Sequence, residues 1–406
     1  MLELRLGTRP VFRPLHAPWC RRSQRFHVAP FDGILSIPRR GPDNVFPTMK
    51  RFLAIAGAVL SALLVGLVLW VAWASTGRLS ENELAQTRRY DAAPPPSTPD
   101  TLTVTTYNIG YLSGMTNNEP VVRSDSFLSA NLERALTLLQ AADTDIIAVQ
   151  EIDYGAARSG YIQQLDTIAR RLGYATAAQA VNWDERYLPF PYGRPAVHFG
   201  RTVSGQAVLS RFPVRDHARR VLPRPDQWIG RDAFYLDRLA QIVLLDLGGR
   251  PLFVLNLHLE AFDQATREKQ AREVRDAYDR LVKTGIPVLL MGDFNSEPLP
   301  NSEGTALPDS TLHILLHDTS LRPVLSDSVR AAMAPDATYP ANAPRRKIDH
   351  IFYPPDVFER ISQRIDCGAP SPPADHCAVT AAFRLVDPAT WPSPETLPSL
   401  DTLLAK

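Results

Sequence analysis

The stretch "VLLMGDFNSEP", Val288 to Pro298, runs from apolar residues into a glycine, a carboxylate and a carboxamide. The continuous apolar run from Ile286 to Met291 suits a strand covered on both faces, and Gly292 lets the chain turn where that strand ends. Asp293 and Asn295 are then presented side by side at a strand end. Turn chemistry alone favours the same residue types. The pattern recurs, however: Asn108 follows "TVTTY", Glu151 follows "IIAVQ", His258 follows "FVLNL", Asp349 stands in "KID", and Asp375 and His376 precede "CAVTAAF". Polar groups at strand ends are a common seat of ligand binding and catalysis, because the sheet holds them rigidly while the loops stay wet.

The elements that must position these groups alternate. "LTVTTYNIG" and "TDIIAVQEID" read as strands, and "SFLSANLERALTLLQAA" between them puts Leu128, Leu132, Leu136 and Leu139 on one helical face. "YIQQLDTIARRLG" reads as a helix ended by Gly173, and "QATREKQAREVRDAYDRLVKTG" as another ending at Gly285. "AQIVLLDLGGRPLFVLNLHLE" reads as a hairpin turning at Gly248 and Gly249, while "KIDHIFY" and "AVTAAFRLV" supply late strands. Hairpins mixed with crossover helices imply an α/β fold of two packed β-sheets with helices outside, a four-layer sandwich. Asn182 to Arg201 is aromatic and Pro-rich with neither period, and reads as a long functional loop. Trp183, Tyr187, Phe190 and Tyr192 in it are candidates to line a substrate pocket.

At 406 residues the chain has room for two average domains or one large α/β domain. Phe52 to Ala74 carries no charge over 23 residues, about 34 Å as a helix, enough for one transmembrane span. Residues 1–48 are rich in Arg and Pro and read as a leader outside the fold, with Met49 as a candidate initiator. Residues 49–75 are then a signal anchor, favoured over a signal peptide cleaved near Ala74 because the apolar run exceeds the usual signal length. Lys50 and Arg51 before the run, with Arg78, Glu81 and Glu83 after it, favour a cytoplasmic N-terminus and a domain outside, and Arg88 and Arg89 count against that orientation. Residues 76–100, and Gln86 to Pro99 in particular, read as a Pro-rich spacer, 101–386 as the catalytic domain and 387–406 as a surface tail.

Charge divides at the same place. Residues 1–51 hold ten Lys or Arg against three Asp or Glu, leaving 34 against 40, a net of −6, in the remaining 355. Such a surface is a poor nonspecific nucleic-acid binder, since that binding is driven by phosphate neutralisation. Of the three cysteines, Cys367 and Cys377 lie ten apart, and two buried thiols are favoured over a bridge.

Taken in order, "YNIG", "QEID", "SGQAVLSRFPV", "LNLHLE", "GDFNSEP", "KIDHIFY" and "ADHCAVT" resemble the endonuclease/exonuclease/phosphatase superfamily, with its DNase I-like fold, over roughly Leu102 to Val386. The resemblance implies a metal-dependent phosphoesterase. In it Glu151 matches the carboxylate that binds Mg²⁺, for which Mn²⁺ can substitute. Asn108 joins the metal and the phosphate site, and Asp375 supports the metal. Asp293 matches the residue acting on the attacking water, and Asn295 donates to the phosphate. His376 works on the phosphate or in acid–base catalysis with Asp349 behind it, and His258 stands near the leaving group. Arg201 is a further candidate for the phosphate, reaching in from the long loop.

Subgroups of this superfamily differ in loops. "RRKIDHIF" lacks the Trp and Arg typical of inositol phosphatases around Asp349. A tethered, acidic domain points to a phospholipid head group or another small phosphodiester, turned over by a monomer outside the cytoplasm. The alternatives are a periplasmic nuclease, with nucleic acid as substrate only, and a tethered phospho-ligand-binding protein without turnover.

Overall fold

The structure, a computed structural model, describes residues 46–92, 99–298, 309–325, 336–386 and 398–405. The leader therefore lies outside the described residues except at its end. Contacts divide the chain into residues 1–62 and 63–406. Helix α1, Phe46–Ala74, has a stretch from Thr48 to Ala74 long and apolar enough to cross a membrane, as a span or as a signal sequence. Leu53, Leu60, Leu64 and Leu67 are exposed on it, so no protein core accounts for its composition.

The rest alternates as follows: α2 (Glu81–Leu84), β1 (Ala85–Arg89), β2 (Thr101–Asn108), α3 (Asp125–Ala142), β3 (Ile146–Asp153), α4 (Gln164–Leu172), β4 (Thr176–Leu188), β5 (Gly200–Ser210) and β6 (Val214–Val221). There follow α5 (Ile229–Asp232), β7 (Leu239–Asp246), β8 (Pro251–His258), α6 (Gln264–Val282), β9 (Val288–Asp293), α7 (Thr311–Leu316), β10 (Arg322–Pro323), β11 (Asp349–Tyr353), β12 (Phe358–Asp366), β13 (Ala378–Leu385) and α8 (Leu400–Leu404).

Two sheets form, ordered β1-β4-β5-β3-β2-β13-β12 and β10-β11-β9-β8-β7-β6. Their central strands are buried on both faces, and side chains there alternate between two cores. Ile146 and Ala148 of β3 and Leu289 and Met291 of β9 meet in the layer between the sheets. Their neighbours Ile147 and Val149 pack under α3 and α4 instead, and Val288 and Leu290 under α6 and α7. The four-layer sandwich expected from the alternation is present. Leu128, Leu132, Leu136 and Leu139 of α3 are buried as their spacing requires, and Gly173 caps α4 at φ 72°.

Four expectations need correction. The segment read as a spacer is in its first part an edge strand, β1, paired with β4 from Ala85↔Ala180 to Arg89↔Thr176. Arg88 donates to Gln179 and Tyr90 to Asp166, which offsets the absence of apolar alternation in "AQTRR". The long loop is mostly a hairpin, because β4 runs on to Leu188 and β5 resumes at Gly200. Its aromatics make a small core of their own, Trp183 and Phe190 both packing edge-on against Phe199. Cys367 and Cys377 form a disulfide, not two thiols. Finally, the tail returns to the fold at α8, where Leu400 is buried and its N–H donates to Asp216.

Candidate active site

Strand β9 ends between two partners. Asp293 stands opposite His258 of β8 on one side and opposite Asp349 of β11 on the other. In the facing sheet Asn108 ends β2 opposite Gln150 of β3. Asn108 Nδ2 donates to Asp293 Oδ2 at 3.0 Å and lies 3.3 Å from Glu151 Oε1, so one carboxamide ties the two sheets together.

A buried polar layer beneath fixes this alignment. Gln150 donates to Asn256 Oδ1 at 2.6 Å, and Asn256 in turn donates to Gln241 and to the carbonyls of Val149 and Ala207. Such a network favours a single register, because a slip would break these buried hydrogen bonds.

Local backbone geometry aims the side chains. Glu151 adopts φ 52° at an irregularity between β3 and β5, which turns its carboxylate out of the strand's alternation. Gly292 sits at φ 144°, and a Cβ there would lie 2.0 Å from the Leu257 carbonyl oxygen. That close approach brings His258 and Asp293 level. Gly110, at φ 50°, likewise leaves the space that Asp375 Oδ1 fills.

Two linked groups result. In the first, His376 Nδ1 donates to Asp349 Oδ2 at 3.0 Å, while its Nε2 lies 3.7 Å from Asp293 Oδ2. Burial works against a charged ring, but Asp349 and Asp293 overcome it and hold His376 well above the usual histidine range. Burial also raises Asp293, with Asp349 adding to the effect and His376, Asn108 and the Asn295 N–H opposing it. In the second group, Asn117 Nδ2 donates to Glu151 Oε2 at 2.8 Å and lies 3.4 Å from both oxygens of Asp375. Burial, with Glu151 nearby, pushes Asp375 up to about 6.

Asp293, Asp349 and His376 are close enough to be read as metal ligands. Their hydrogen bonding argues for proton handling instead, since the His376 nitrogen nearest Asp349 is spent on that carboxylate. The second group suits a hard cation better. Glu151 and Asp375 offer carboxylate oxygens, and Asn117 holds both through its NH₂, with its Oδ1 buried and without a hydrogen-bond partner.

Of the residues expected from sequence, Asn108, Glu151, His258, Asp293, Asp349, Asp375 and His376 come together. Asn108 turns its NH₂ inward and its oxygen to the Gly110 N–H, so as placed it is a donor and not a metal ligand. Asn295, at φ 49°, spends one N–H on the Leu259 carbonyl and holds Asp293 Oδ1 through its backbone N–H at 2.9 Å. Arg201 is not brought in: it pairs with Asp184 and donates to the carbonyls of Glu185 and Thr202.

Sequence reasoning missed Asn117 and Arg238. Arg238 Nη1 lies 2.5 Å from His258 Nε2, and burial, then the charges of Arg238 and His376, push His258 well below the usual range. His258 is therefore a neutral acceptor, 3.5 Å from Asp293 Oδ2. The signal for Arg238 was its place just ahead of β7, the partner of β8.

The sequence profile described as "Endonuclease/Exonuclease/phosphatase family" matches residues 105–393. Among curated proteins, none matches the chain. Similar solved structures include an endonuclease/exonuclease/phosphatase from Beutenbergia cavernae, 18% identical over 71% of this chain and 72% of that one, with a TM-score of 0.49. The human Nocturnin catalytic domain with bound sulfate is 17% identical over 76% of this chain and 99% of that one, also at 0.49. A truncated Caenorhabditis elegans TDP2 is 15% identical over 70% and 97%, at 0.46.

Proposed function

The chain belongs to the endonuclease/exonuclease/phosphatase family and is a hydrolase of phosphoric ester bonds; from that premise we propose that it is a divalent-metal-dependent phosphodiesterase, held in a membrane by α1 and acting outside the cytoplasm on a phospholipid head group or another small phosphodiester. The observation that carries this reading is the pairing of two groups across Asn108: a charged imidazole between carboxylates, and an oxygen-rich cluster beside it.

Each side chain has a part in the reaction. Asp293 orients the attacking water and accepts its proton as the water oxygen bonds to phosphorus and the bond to the leaving oxygen breaks. The His376 imidazolium, its charge sustained by Asp349, and the Asn108 NH₂ offer hydrogen bonds to phosphoryl oxygens, where negative charge grows in the transition state. Arg238 adds a fixed positive charge on the His258 side. Glu151 and Asp375, with Asn117, would hold Mg²⁺, or Mn²⁺ in its place; such an ion neutralises charge on the phosphoryl group when bound.

The test is turnover of an aryl phosphodiester, of phospholipid vesicles and of plasmid DNA by the purified chain, with Mg²⁺ and then with EDTA. Mg²⁺-dependent release from vesicles is expected. Plasmid cleavage at physiological salt with inert vesicles would replace the lipid reading by a nuclease, and no turnover of any substrate would leave a binding protein.

A further inference from the structure

Among the described residues of the folded domain, two connections carry some of the most exposed large apolar side chains. Trp228 and Ile229, at the start of α5 between β6 and β7, are 71% and 85% exposed, and Phe262, between β8 and α6, is 82% exposed. Sidedness distinguishes them from scattered surface apolars. Both connections reach one buried carboxylate, Glu260. Tyr235, three residues after α5, donates to Glu260 at 2.8 Å, and the Phe262 N–H donates to it at 3.0 Å. Glu260 lies 3.7 Å from Arg238, which bonds to His258 at the active site. Glu260 and Arg238 therefore tie both connections to His258 at the active site.

The same connection meets the foot of the apolar helix. Ser75 and Gly77 line one cavity together with Asp232, Ala233 and Tyr235, and Asp232 is one turn from Ile229, roughly 5 Å along a helix. Strand β4 holds both sides of that junction. Its Asp184 accepts the N–H groups of Arg78 and Leu79 at 2.7 and 2.8 Å, and the Arg186 N–H donates to the Thr76 carbonyl. On the other side the Trp183 indole donates to the Phe234 carbonyl at 3.1 Å. The foot of the apolar helix thus lies beside the connection that carries α5. Trp and Ile at a tip that also bears exposed Arg231 is the composition of a membrane–water interface, apolar side chains in the acyl boundary with a cation at the head groups.

We propose that Trp228, Ile229 and Phe262 form a second contact of this chain with the lipid bilayer, which turns the His258 and Arg238 side of the cleft toward the membrane surface. This rests on the reading of α1 as a span and deepens the lipid reading of the substrate. The occupant is bilayer, not protein, because Ile229 stands one turn from Asp232, which lines a cavity with the foot of the apolar helix.

The test uses the full chain with Cys20 replaced by Ser, reconstituted into phosphatidylcholine/phosphatidylglycerol vesicles. An environment-sensitive fluorophore is placed at Trp228→Cys and, as control, at Ile361→Cys on exposed β12. Quenching by nitroxide-labelled lipids is expected at position 228 and not at 361. A label at 228 that remains in water, or one shielded without lipid quenching, overturns the proposal, the latter in favour of a protein occupant. The Trp228→Ser/Ile229→Ser variant should lose at least tenfold in turnover of vesicle phosphodiester while cleaving a soluble aryl phosphodiester within twofold of the parent. Equal activity of variant and parent on vesicles also overturns it. Failure of the underlying readings shows differently: extraction of the chain by carbonate removes the span, and absence of turnover on both substrates removes the enzyme while the quenching result still stands.

Discussion

Asp293 and Asp349 face each other across one rung of the β9–β11 ladder, yet they do different work. Asp349 is bound to His376 and keeps that ring charged, whereas Asp293 is bonded by Asn108 and the Asn295 N–H and keeps its remaining capacity for water. Asp293→Asn should therefore leave metal affinity and melting temperature near those of the parent while abolishing turnover. Glu151→Gln should do the reverse in part, weakening Mg²⁺ binding in calorimetry. His376→Ala should cost roughly 10²- to 10⁴-fold in turnover, the range for a positioned acid–base group; near-normal rates would take it out of the mechanism. Asn117→Ala should lower Mg²⁺ affinity roughly 10- to 100-fold, as loss of a group that organises ligands does. An unchanged Mg²⁺ isotherm in that variant would make the orphaned Asn117 oxygen a matter of packing alone.

At the scale of elements, what could be read from sequence was what local pattern encodes. Asn108, Glu151, His258 and Asp293 were legible because each ends an apolar run whose length and burial make a strand, and a strand end fixes a side chain in space. β1 was not legible: "AQTRR" has no apolar alternation, and its place depends on pairing with β4 about 90 residues away. Asn117 and Arg238 lie in connections without periodicity, so only the tertiary fold delivers them. In the sequence Gly292 signals only a turn, and the approach of β8 to β9 there is tertiary. Gly292→Ala should be destabilising by roughly 1 to 3 kcal/mol, as overpacking is, and should lower activity by misplacing Asp293. An active variant with parental melting would show that the strands yield there. A second element-scale expectation concerns His217 of β6, whose Nε2 meets Gln241 at 3.1 Å. Burial holds it down at about 4, against the pull of Asp216, so between about 4 and 6.5 the unfolded chain binds more protons than the folded one. Stability should fall as pH drops through that window. His217→Gln should narrow the difference in melting temperature between pH 7 and pH 5.

Across the whole molecule, two features support the proposed placement outside the cytoplasm and a third bears on the proposed substrate. Lys50 and Arg51 directly precede the apolar span, which favours a cytoplasmic N-terminus, while Arg78, Arg88 and Arg89 after it oppose that orientation. The residues beyond position 51 carry a net charge of −6, which suits a small or membrane-borne substrate better than duplex DNA. The bridge between Cys367 and Cys377 belongs in an oxidising compartment, since cytosolic thiols are kept reduced. It closes a short loop leading directly to Asp375 and His376, so its loss should be felt at the site as well as in stability. Cys367→Ser should destabilise by roughly 2 to 3 kcal/mol, the scale for a loop of about ten residues. Reductant should lower the melting temperature of the parent but not of that variant. The topology itself is tested by alkaline phosphatase fused after Val386, which folds to an active enzyme only where disulfides form. The fusion should be active in a bacterial host, and a fluorescent protein fused at the same place and exported by the same route should stay dark. A dark phosphatase with a bright fluorescent fusion would put the domain in the cytoplasm, where neither the bridge nor an outward-facing lipid substrate could be retained.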